Sequence, residues 1–148
     1  MAIDMAALGK ETAWTESVVT SEAIRAFCES LEDHNELFLD PDAVQAAGGE
    51  GVVAPPTFIN TFRSGKTALL LSGLNFALPK LLHGEQTIWY YRPMRPGDRI
   101  SHRIKIIEVG RKPSKTYGQL DSFTVLITCK NERGDKVAEA KQLFFVHE

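Results

Sequence analysis

The sequence predicts an α+β domain in which an antiparallel sheet packs one face against a single apolar helix. Three observations support this prediction. The second half of the chain contains four strand patterns in succession, with no helical pattern between them. The first half contains one short strand pattern followed by helix signals. The helix that follows Pro55 and Pro56 is the one apolar enough to cover the buried face of such a sheet.

The first half of the chain is assigned from its composition and capping residues. Thr12–Thr20 is rich in β-branched and aromatic residues, which is typical of a strand. Thr20 or Ser21 can cap a helix over Glu22–Leu31, where apolar residues recur at helical spacing. The polar, turn-rich stretch that follows contains the start signal of a second short helix, predicted over Asp40–Gln45.

The next segment is the one that the sheet is expected to enclose. Val52–Phe62 reads V-V-A-P-P-T-F-I-N-T-F, and proline is favoured in a first helical turn, where its missing N–H would be unpaired anyway. We predict a helix over roughly Thr57–Phe62, with an extension to Leu71 left open. For the apolar, glycine-punctuated Leu70–Leu82, a flap and a second short helix are equal alternatives.

The second half is predicted to be a run of antiparallel strands. Apolar and polar residues alternate in it, and turn residues cluster at Pro93–Asp98 and Asn131–Asp135. The four strands are predicted at Gln86–Arg92, Arg99–Val109, Gln119–Lys130 and Lys136–His147.

Composition excludes several classes of protein. At 148 residues and 43% hydrophobic, the chain suits one domain, residues 1–148. Its charge of -2 and scattered basic residues give no reason to expect nucleic acid as a partner. Cys28 and Cys129 stand far apart, which indicates a reducing compartment and hence a cytoplasmic protein. We expect no signal peptide and no membrane span, because the most apolar stretch, Ala68–Leu82, is short and interrupted.

One segment imitates a phosphate-binding loop. Asn60–Thr67, N-T-F-R-S-G-K-T, ends like a P-loop, but Asn60 stands where the first glycine is needed. A P-loop also follows a parallel strand, whereas two prolines precede this segment and the other strands are expected to be antiparallel. We therefore expect no nucleotide site here.

A polar cluster follows the first helix. Asp33, His34 and Asn35 could do general acid–base work, although Asp and Asn are also ordinary turn residues. Further along, two alternatives are open for His83: an imidazole paired with the carboxylate of Glu85, or an ordinary loop residue. The four histidines lack metal-ligand spacing, so no metal site is expected.

Two further groups lie on or between the predicted strands. His102 shares a side with Ile100 and Ile104, which is typical of a buried core or interface histidine. Arg111–Lys115 is predicted to be a basic loop between strands. Its Arg111 and Lys112 could meet the phosphates of a carrier such as coenzyme A, or be solvated turn residues.

Four motifs, in order, resemble those of a MaoC-like hydratase/dehydratase domain of the N-terminal type, related to the (R)-3-hydroxyacyl dehydratases. They are V-A-P-P-T-F at Val53–Phe58, L-H-G-E-Q at Leu82–Gln86, Y-R-P-M-R-P-G-D at Tyr91–Asp98 and E-R-G-D in the last turn. The resemblance covers almost the whole chain. It implies a hot-dog fold, in which a curved antiparallel sheet wraps a central helix, and a double hot-dog dimer. It also implies thioester substrates on coenzyme A or acyl carrier protein, water addition to 2-enoyl thioesters, and no cofactor.

Active members of this family carry D-x-N-P-x-H in the loop after the first helix, where the Asp and His handle the water and its protons. Asp33 and Asn35 match that motif, whereas Glu36 stands in place of the Pro and Phe38 in place of the His. A phenyl ring has no proton to exchange, so the acid–base pair is broken. In heterodimeric relatives one subunit carries the motif and the other shapes the acyl-binding tunnel. The resemblance implies that this chain is the second kind.

The central helix has a role in the same resemblance, because backbone amides there polarise the thioester carbonyl. Proline lacks an N–H, so the predicted substrate-binding donors are the amides of Thr57, Phe58 and Ile59. The apolar Leu69–Leu82 segment is expected to set acyl-chain selectivity.

Three functions are therefore compared. In the first, the chain accommodates substrate in a heteromeric hydratase or dehydratase, and a homologous hot-dog partner supplies the Asp and His. In the second, it is a self-sufficient homodimeric hydratase whose base has moved to His34 or His83. In the third, it binds acyl thioesters or assembles with other proteins without chemistry. Fold alone does not choose among them.

Overall fold

A five-stranded antiparallel sheet forms the centre of the computed structural model, which describes residues 3–62 and 65–147. The strands are β1 Thr15–Val18, β2 Leu81–Tyr90, β3 Arg99–Ser114, β4 Gly118–Lys130 and β5 Lys136–His147. Their order across the sheet is β1-β3-β4-β5-β2, and each neighbouring pair is antiparallel. The α+β prediction is confirmed, and β1 and β2 form the two edges.

The helices are short and lie mainly in the first half of the chain. Among the described residues the α-helices are α1 Ser21–Ser30, α2 Glu36–Leu39, α3 Pro41–Ala46 and α4 Gly65–Ser72. The 3₁₀ helices are Met5–Ala7, Pro56–Thr61 and Leu78–Lys80. Thr20 caps α1 by accepting a hydrogen bond from the Ala23 N–H, as one of the two predicted caps. None of the described helices is long and apolar enough to cross a membrane.

The 3₁₀ helix Pro56–Thr61, which we call the central helix, packs on the inner face of the sheet. Its Phe58 and Ile59 are buried, and Ile59 has no exposed surface. Full burial of such a side chain contributes about 1.5–3 kcal/mol. The sheet residues buried in the same core come from alternating positions of three strands: Ile100, Ile104, Ile106, Phe123, Val125, Ile127, Ala138 and Ala140.

The central helix differs from its prediction in type and length. It is a 3₁₀ helix, and it ends at Phe62, whose ψ of 65° lies outside the helical region. A continuous helix to Leu71 is therefore wrong, because α4 is a separate helix that begins at Gly65. Residues 63 and 64, part of the segment that imitates a P-loop, lie outside the described residues. Leu70–Leu82 contains the end of α4, an irregular stretch and one 3₁₀ turn.

Two strands are longer than predicted, and each contains a bulge. β2 begins at Leu81 rather than Gln86, and its register with β5 shifts between His83 and Glu85. β3 continues to Ser114, and its register shifts between Ile106 and Glu108. A bulge inserts one extra residue and so breaks the period-two pattern on which the predictions rest.

Two further predictions are corrected by the pairing. The basic loop Arg111–Lys115 is wrong, because β3 reaches Ser114 and Arg111 pairs with Asp121 of β4. The first strand is shorter than Thr12–Thr20, because only Thr15–Val18 pairs continuously with β3. Before it, the chain contacts β3 through an isolated bridge between Glu11 and Lys105 and through bonds such as Thr12 N–H to the Ile104 carbonyl, 2.9 Å.

Candidate functional site

The segment Asp33–Phe38, which we call the motif loop, is built from local side-chain-to-backbone hydrogen bonds. Asp33 Oδ1 accepts a bond of 3.0 Å from the Asn35 N–H, and Asn35 Oδ1 accepts one of 3.0 Å from the Leu37 N–H. Asn35 is thereby the N-cap of α2. This helix lies in a segment that was predicted to be polar and turn-rich. Both motif-matching side chains act as turn and capping residues in this structure.

Phe38, which the resemblance aligns with the motif histidine, is part of an apolar wall. Phe38 is half-buried and packs against the hydrophobic core, while His34 is exposed. Phe38 lines a cavity of about 430 Å³ between α1, the motif loop and the turn before β3, which we call the motif cavity. Its other apolar side chains include Leu39 and Val52. Its lining contains arginine and glutamate but, among the described residues, no histidine.

A second cavity, of about 360 Å³, lies at the start of the central helix, and we call it the helix-mouth cavity. Val53, Pro56, Tyr90 and Met94 are among its lining residues. The Tyr90 hydroxyl donates a 2.8 Å hydrogen bond to the Pro56 carbonyl. Burial is the main cause that raises the pKa of Tyr90 to about 12, so the phenol stays protonated and remains a donor at neutral pH.

The three predicted thioester donors are not equivalent at this mouth. The Phe58 N–H donates to the Pro55 carbonyl at 2.9 Å, so it is engaged within the helix turn. Thr57 is exposed at the first turn, and the side chain of Ile59 is buried in the core. The segment Val52–Ala54 separates the two cavities, since Val52 lines the motif cavity and Val53 the helix-mouth cavity.

Sequence reasoning missed a cluster of three amide side chains between the central helix and the sheet. Gln142 Nε2 donates to Asn60 Oδ1 at 2.7 Å and to Gln86 Oε1 at 3.2 Å, and Asn60 Nδ2 donates to Gln86 Oε1 at 3.3 Å. Gln142 is only 1% exposed. The sequence contains an indication of this cluster, because Gln142 interrupts the otherwise apolar inward side of β5 between Ala140 and Phe144. A polar residue in such a row needs buried partners.

His83 joins a row of stacked rings rather than a carboxylate. Its ring lies 4.8 Å from that of Phe144, and Phe144 stacks on Phe123 at 5.2 Å. The bulge places His83 opposite Phe144 and Glu85 opposite Leu143, which are consecutive residues of β5. The two side chains therefore point to opposite faces of the sheet, and the His83–Glu85 pair is not formed.

Arg111 and Lys112 lie at the far end of β3. Arg111 Nε contacts Asp121 Oδ1 at 2.7 Å, and Asp121, whose side chain is 7% exposed, also accepts the Ile3 N–H at 3.1 Å. Lys112 Nζ lies 5.7 Å from the centre of the Phe145 ring. Arg111 thus helps to fix the N-terminal segment on the sheet. A role for either cation at carrier phosphates stays a prediction.

His102 is a core histidine, as predicted. It is 3% exposed, its Nε2 lies 3.1 Å from Ser17 Oγ, and its ring is 5.1 Å from that of Phe62. Burial lowers the pKa of His102, so the neutral form is favoured. Within the described part of the chain, no group of three His, Cys, Asp or Glu residues is arranged to hold a metal ion.

Comparison with known proteins adds a family. The model of the FAS1-like dehydratase domain region matches residues 6–140. A UPF0336 protein of Streptomyces avermitilis is 36% identical over 104 residues, which cover 68% of this chain and 69% of that protein. One from Saccharopolyspora erythraea is 29% identical over 144 residues, or 95% and 89% of the two chains. A probable enoyl-CoA hydratase alpha subunit of Thermomonospora curvata is 26% identical over 132 residues, or 78% and 40%.

Solved structures share the architecture. A chain of the C-terminally truncated HadBC (3R-hydroxyacyl-ACP dehydratase) complex from Mycobacterium tuberculosis superposes with a TM-score of 0.77 at 19% identity, covering 96% of this chain and 99% of that chain. A chain of the ChsH1-ChsH2 complex from the same organism gives 0.73 at 22% identity, covering 96% and 85%. At these identities the likeness is one of fold, and it confirms the hot-dog prediction.

Proposed function

Because the chain belongs to the FAS1-like dehydratase family, we propose that it is the substrate-accommodating subunit of a heteromeric enoyl-thioester hydratase or (R)-3-hydroxyacyl-thioester dehydratase. A homologous hot-dog partner supplies the catalytic Asp and His. The observation that carries the proposal is Phe38. The resemblance aligns it with the motif histidine, and in the structure it is part of an apolar wall beside a five-stranded antiparallel sheet.

The reaction needs a proton-exchanging pair that the motif loop lacks. In hydration, the water oxygen bonds to Cβ of the enoyl group while a base takes a proton from that water, and a proton is added at Cα. Phe38 cannot exchange a proton, and Asp33 and Asn35 already bind backbone amides. Loss of one member of a cooperative catalytic pair removes most of its rate. Both protons are therefore handled by the partner.

This chain would contribute the substrate slot. During addition, negative charge collects on the thioester oxygen, where a preorganised N–H lowers the barrier. The Thr57 amide is the proposed donor of this chain, since the Phe58 amide is engaged with Pro55. The helix-mouth cavity beside it has a size that suits part of a small ligand. The apolar segment Leu69–Leu82 then governs the acyl-chain length accepted.

Strand β2 is the proposed docking edge for the partner. It is ten residues long, lies at the edge of the sheet, and carries the exposed apolar side chains of Leu82 and Trp89. A long edge with unpaired backbone groups and apolar side chains is a template for pairing with another chain. The opposite edge, β1, has only four residues. Docking on β2 would also close the helix-mouth cavity, because Tyr90 and Tyr91 line it.

Coexpression with a homologous subunit that carries an intact D-x-N-P-x-H tests the proposal. We expect the purified complex to hydrate a 2-enoyl thioester and this chain alone to be inactive. A His→Ala change in the partner's motif should abolish the activity, whereas His34→Ala and His83→Ala in this chain should leave it. Hydration by the isolated chain at enzymatic rates would refute the proposal and favour a relocated base. Thioester binding without turnover, even with the partner, would favour a non-catalytic binding module.

Assembly can be tested separately from chemistry. We expect Leu82→Lys combined with Trp89→Lys to prevent complex formation, measured by light scattering after size-exclusion chromatography. Val18→Lys is the matched control, since Val18 is exposed on the opposite edge strand. If both sets of variants assemble equally well, β2 is not the docking edge.

A further inference from the structure

The motif cavity has a charge pattern that hydration chemistry does not require. Arg25 of α1 and Arg95 of the turn before β3 are among its lining residues, and Glu50 is the one acidic residue among the described residues of that lining. Glu50 would compete only weakly with an incoming anion for Arg95, because its side chain is 89% exposed and its contact with Arg95 Nη2 is 3.5 Å long. The lining of this cavity, as far as the structure describes it, therefore carries two arginines and a single, loosely held glutamate.

The two arginines differ in how they are held. Arg95 is fixed, because its Nη1 donates to the Gly51 carbonyl at 2.7 Å and its backbone N–H donates to Asp98 Oδ2 at 2.8 Å. Arg25 forms no ion pair with any residue that the structure describes. One guanidinium is thus preorganised at the rim, and the other is available to an incoming anion.

The rest of the cavity is apolar. Phe38, Leu39 and Val52 line it, so a chain of methylene groups could displace water there. Its volume of about 430 Å³ falls within the range of roughly 300–1,000 Å³ found for small-ligand sites. Guanidinium groups bind carboxylates through paired, charge-assisted hydrogen bonds, and they do so more strongly beside apolar surface.

We propose that the motif cavity is a binding site for an amphipathic carboxylate, with its anionic head at Arg25 and Arg95 and its apolar tail against Phe38. Replacement of the motif histidine by a phenyl ring thus converts a catalytic position into part of a ligand site. The inference goes beyond the proposed function, because it requires neither the partner nor turnover.

Sodium octanoate is the probe, titrated into the full chain by calorimetry. Octanamide has the same tail without charge, and acetate has the charge without the tail. We expect octanoate to bind at least about tenfold more tightly than either, as charge-assisted hydrogen bonds and apolar burial both contribute. Equal binding of octanoate and octanamide would overturn the proposal, as would equal binding of octanoate and acetate.

Variants locate the site. Arg25→Gln should weaken octanoate binding by about tenfold, the size expected for losing one charge-assisted contact. Arg99→Gln is the control for the same change of charge, because Arg99 pairs with Glu16 on the exposed side of β3. Glu50→Gln should strengthen binding a few-fold by freeing Arg95. If Arg25→Gln and Arg99→Gln bind octanoate with equal affinity, the carboxylate does not bind at Arg25 in this cavity and the proposal fails.

Discussion

The motif loop and strand β2 both carry family motifs, but they are stabilised in different ways. In the motif loop, Asp33 and Asn35 bond to backbone amides two residues away. Strand β2 instead pairs with β5 along its length, and its inward side chains reach residues far away in sequence. His83 stacks on Phe144, and Gln86 joins Gln142.

This difference explains how a chain can keep the fold while lacking the catalytic pair, as we propose for this one. A loop held by its own side-chain-to-backbone bonds needs only turn residues, so the position of Phe38 is free to change without disturbing the sheet. On β2, Leu81, Ile88 and Tyr90 pack against the core, so changes at these positions should destabilise the whole domain. Chemistry and fold therefore depend on different parts of the family motif.

Truncation of Phe144 should give the largest effect. Phe144 is 9% exposed and stacks on both His83 and Phe123, so Phe144→Ala should lower the free energy of unfolding by about 3–5 kcal/mol. Phe38→Ala in the motif loop removes the same atoms from a half-buried position and should cost clearly less. Urea unfolding of both variants measures the difference. Equal losses would show that the motif loop supports the core as much as β5, the strand that carries Phe144 and pairs with β2, does.

The amide cluster should give the next largest effect. Gln142→Leu keeps the side-chain size but removes the donor to Asn60 and Gln86, so we expect a loss of about 1–3 kcal/mol in urea unfolding. Gln45→Leu is the control, because Gln45 is exposed on α3. A neutral Gln142→Leu variant would mean that an apolar contact replaces the cluster without cost.

A smaller effect is expected in the motif loop. Asn35→Ala removes the N-cap of α2 and should cost about 1 kcal/mol, while Asn35→Asp, which can still accept from the Leu37 N–H, should restore most of it. In the assembled enzyme, Asn35→Asp should leave the rate of hydration unchanged if Asn35 acts only as a cap. A large loss of rate with intact folding would instead give Asn35 a part in catalysis.

Structural features set by residues close together in the sequence were predicted well, and those that depend on distant residues were not. Strand β5 was predicted with its observed bounds, and α1 to within one residue, because periodicity and capping are local signals. β3 was predicted to end too early, since the basic residues that follow Gly110 are typical of a turn. β2 was predicted to begin too late, since a bulge between His83 and Glu85 reverses its alternation. The pattern of inward and outward residues cannot reveal where such an insertion lies.

Long-range partners limited prediction of the site. Phe38 was singled out from the sequence, because it falls within a family motif. Arg25 and Arg95 of the motif cavity were not, because they stand 70 residues apart and no spacing pattern links them. Arg111 was predicted to lie in a loop. Its partner Asp121 lies on the neighbouring strand of a hairpin, and β3 extends further into that hairpin than its alternating pattern indicated. Such pairs become visible only once the strand register is known.

The sheet and the motif loop should also differ in the response of their stability to pH. This effect is absent at neutral pH, so it is the smallest of those expected. His102 lies in the sheet beside Ser17 and Phe62, and burial lowers its pKa below the ordinary value of about 6.5. Below that pH the unfolded chain binds a proton that the folded chain resists, so stability falls as the pH drops toward the folded-state pKa. Urea midpoints measured from about pH 7.5 to 5.5 should therefore decrease. His102→Gln should flatten this dependence, whereas His34→Gln, which removes an exposed imidazole from the motif loop, should retain it. A dependence that disappears with His34→Gln instead would place the acid-sensitive contact in the motif loop.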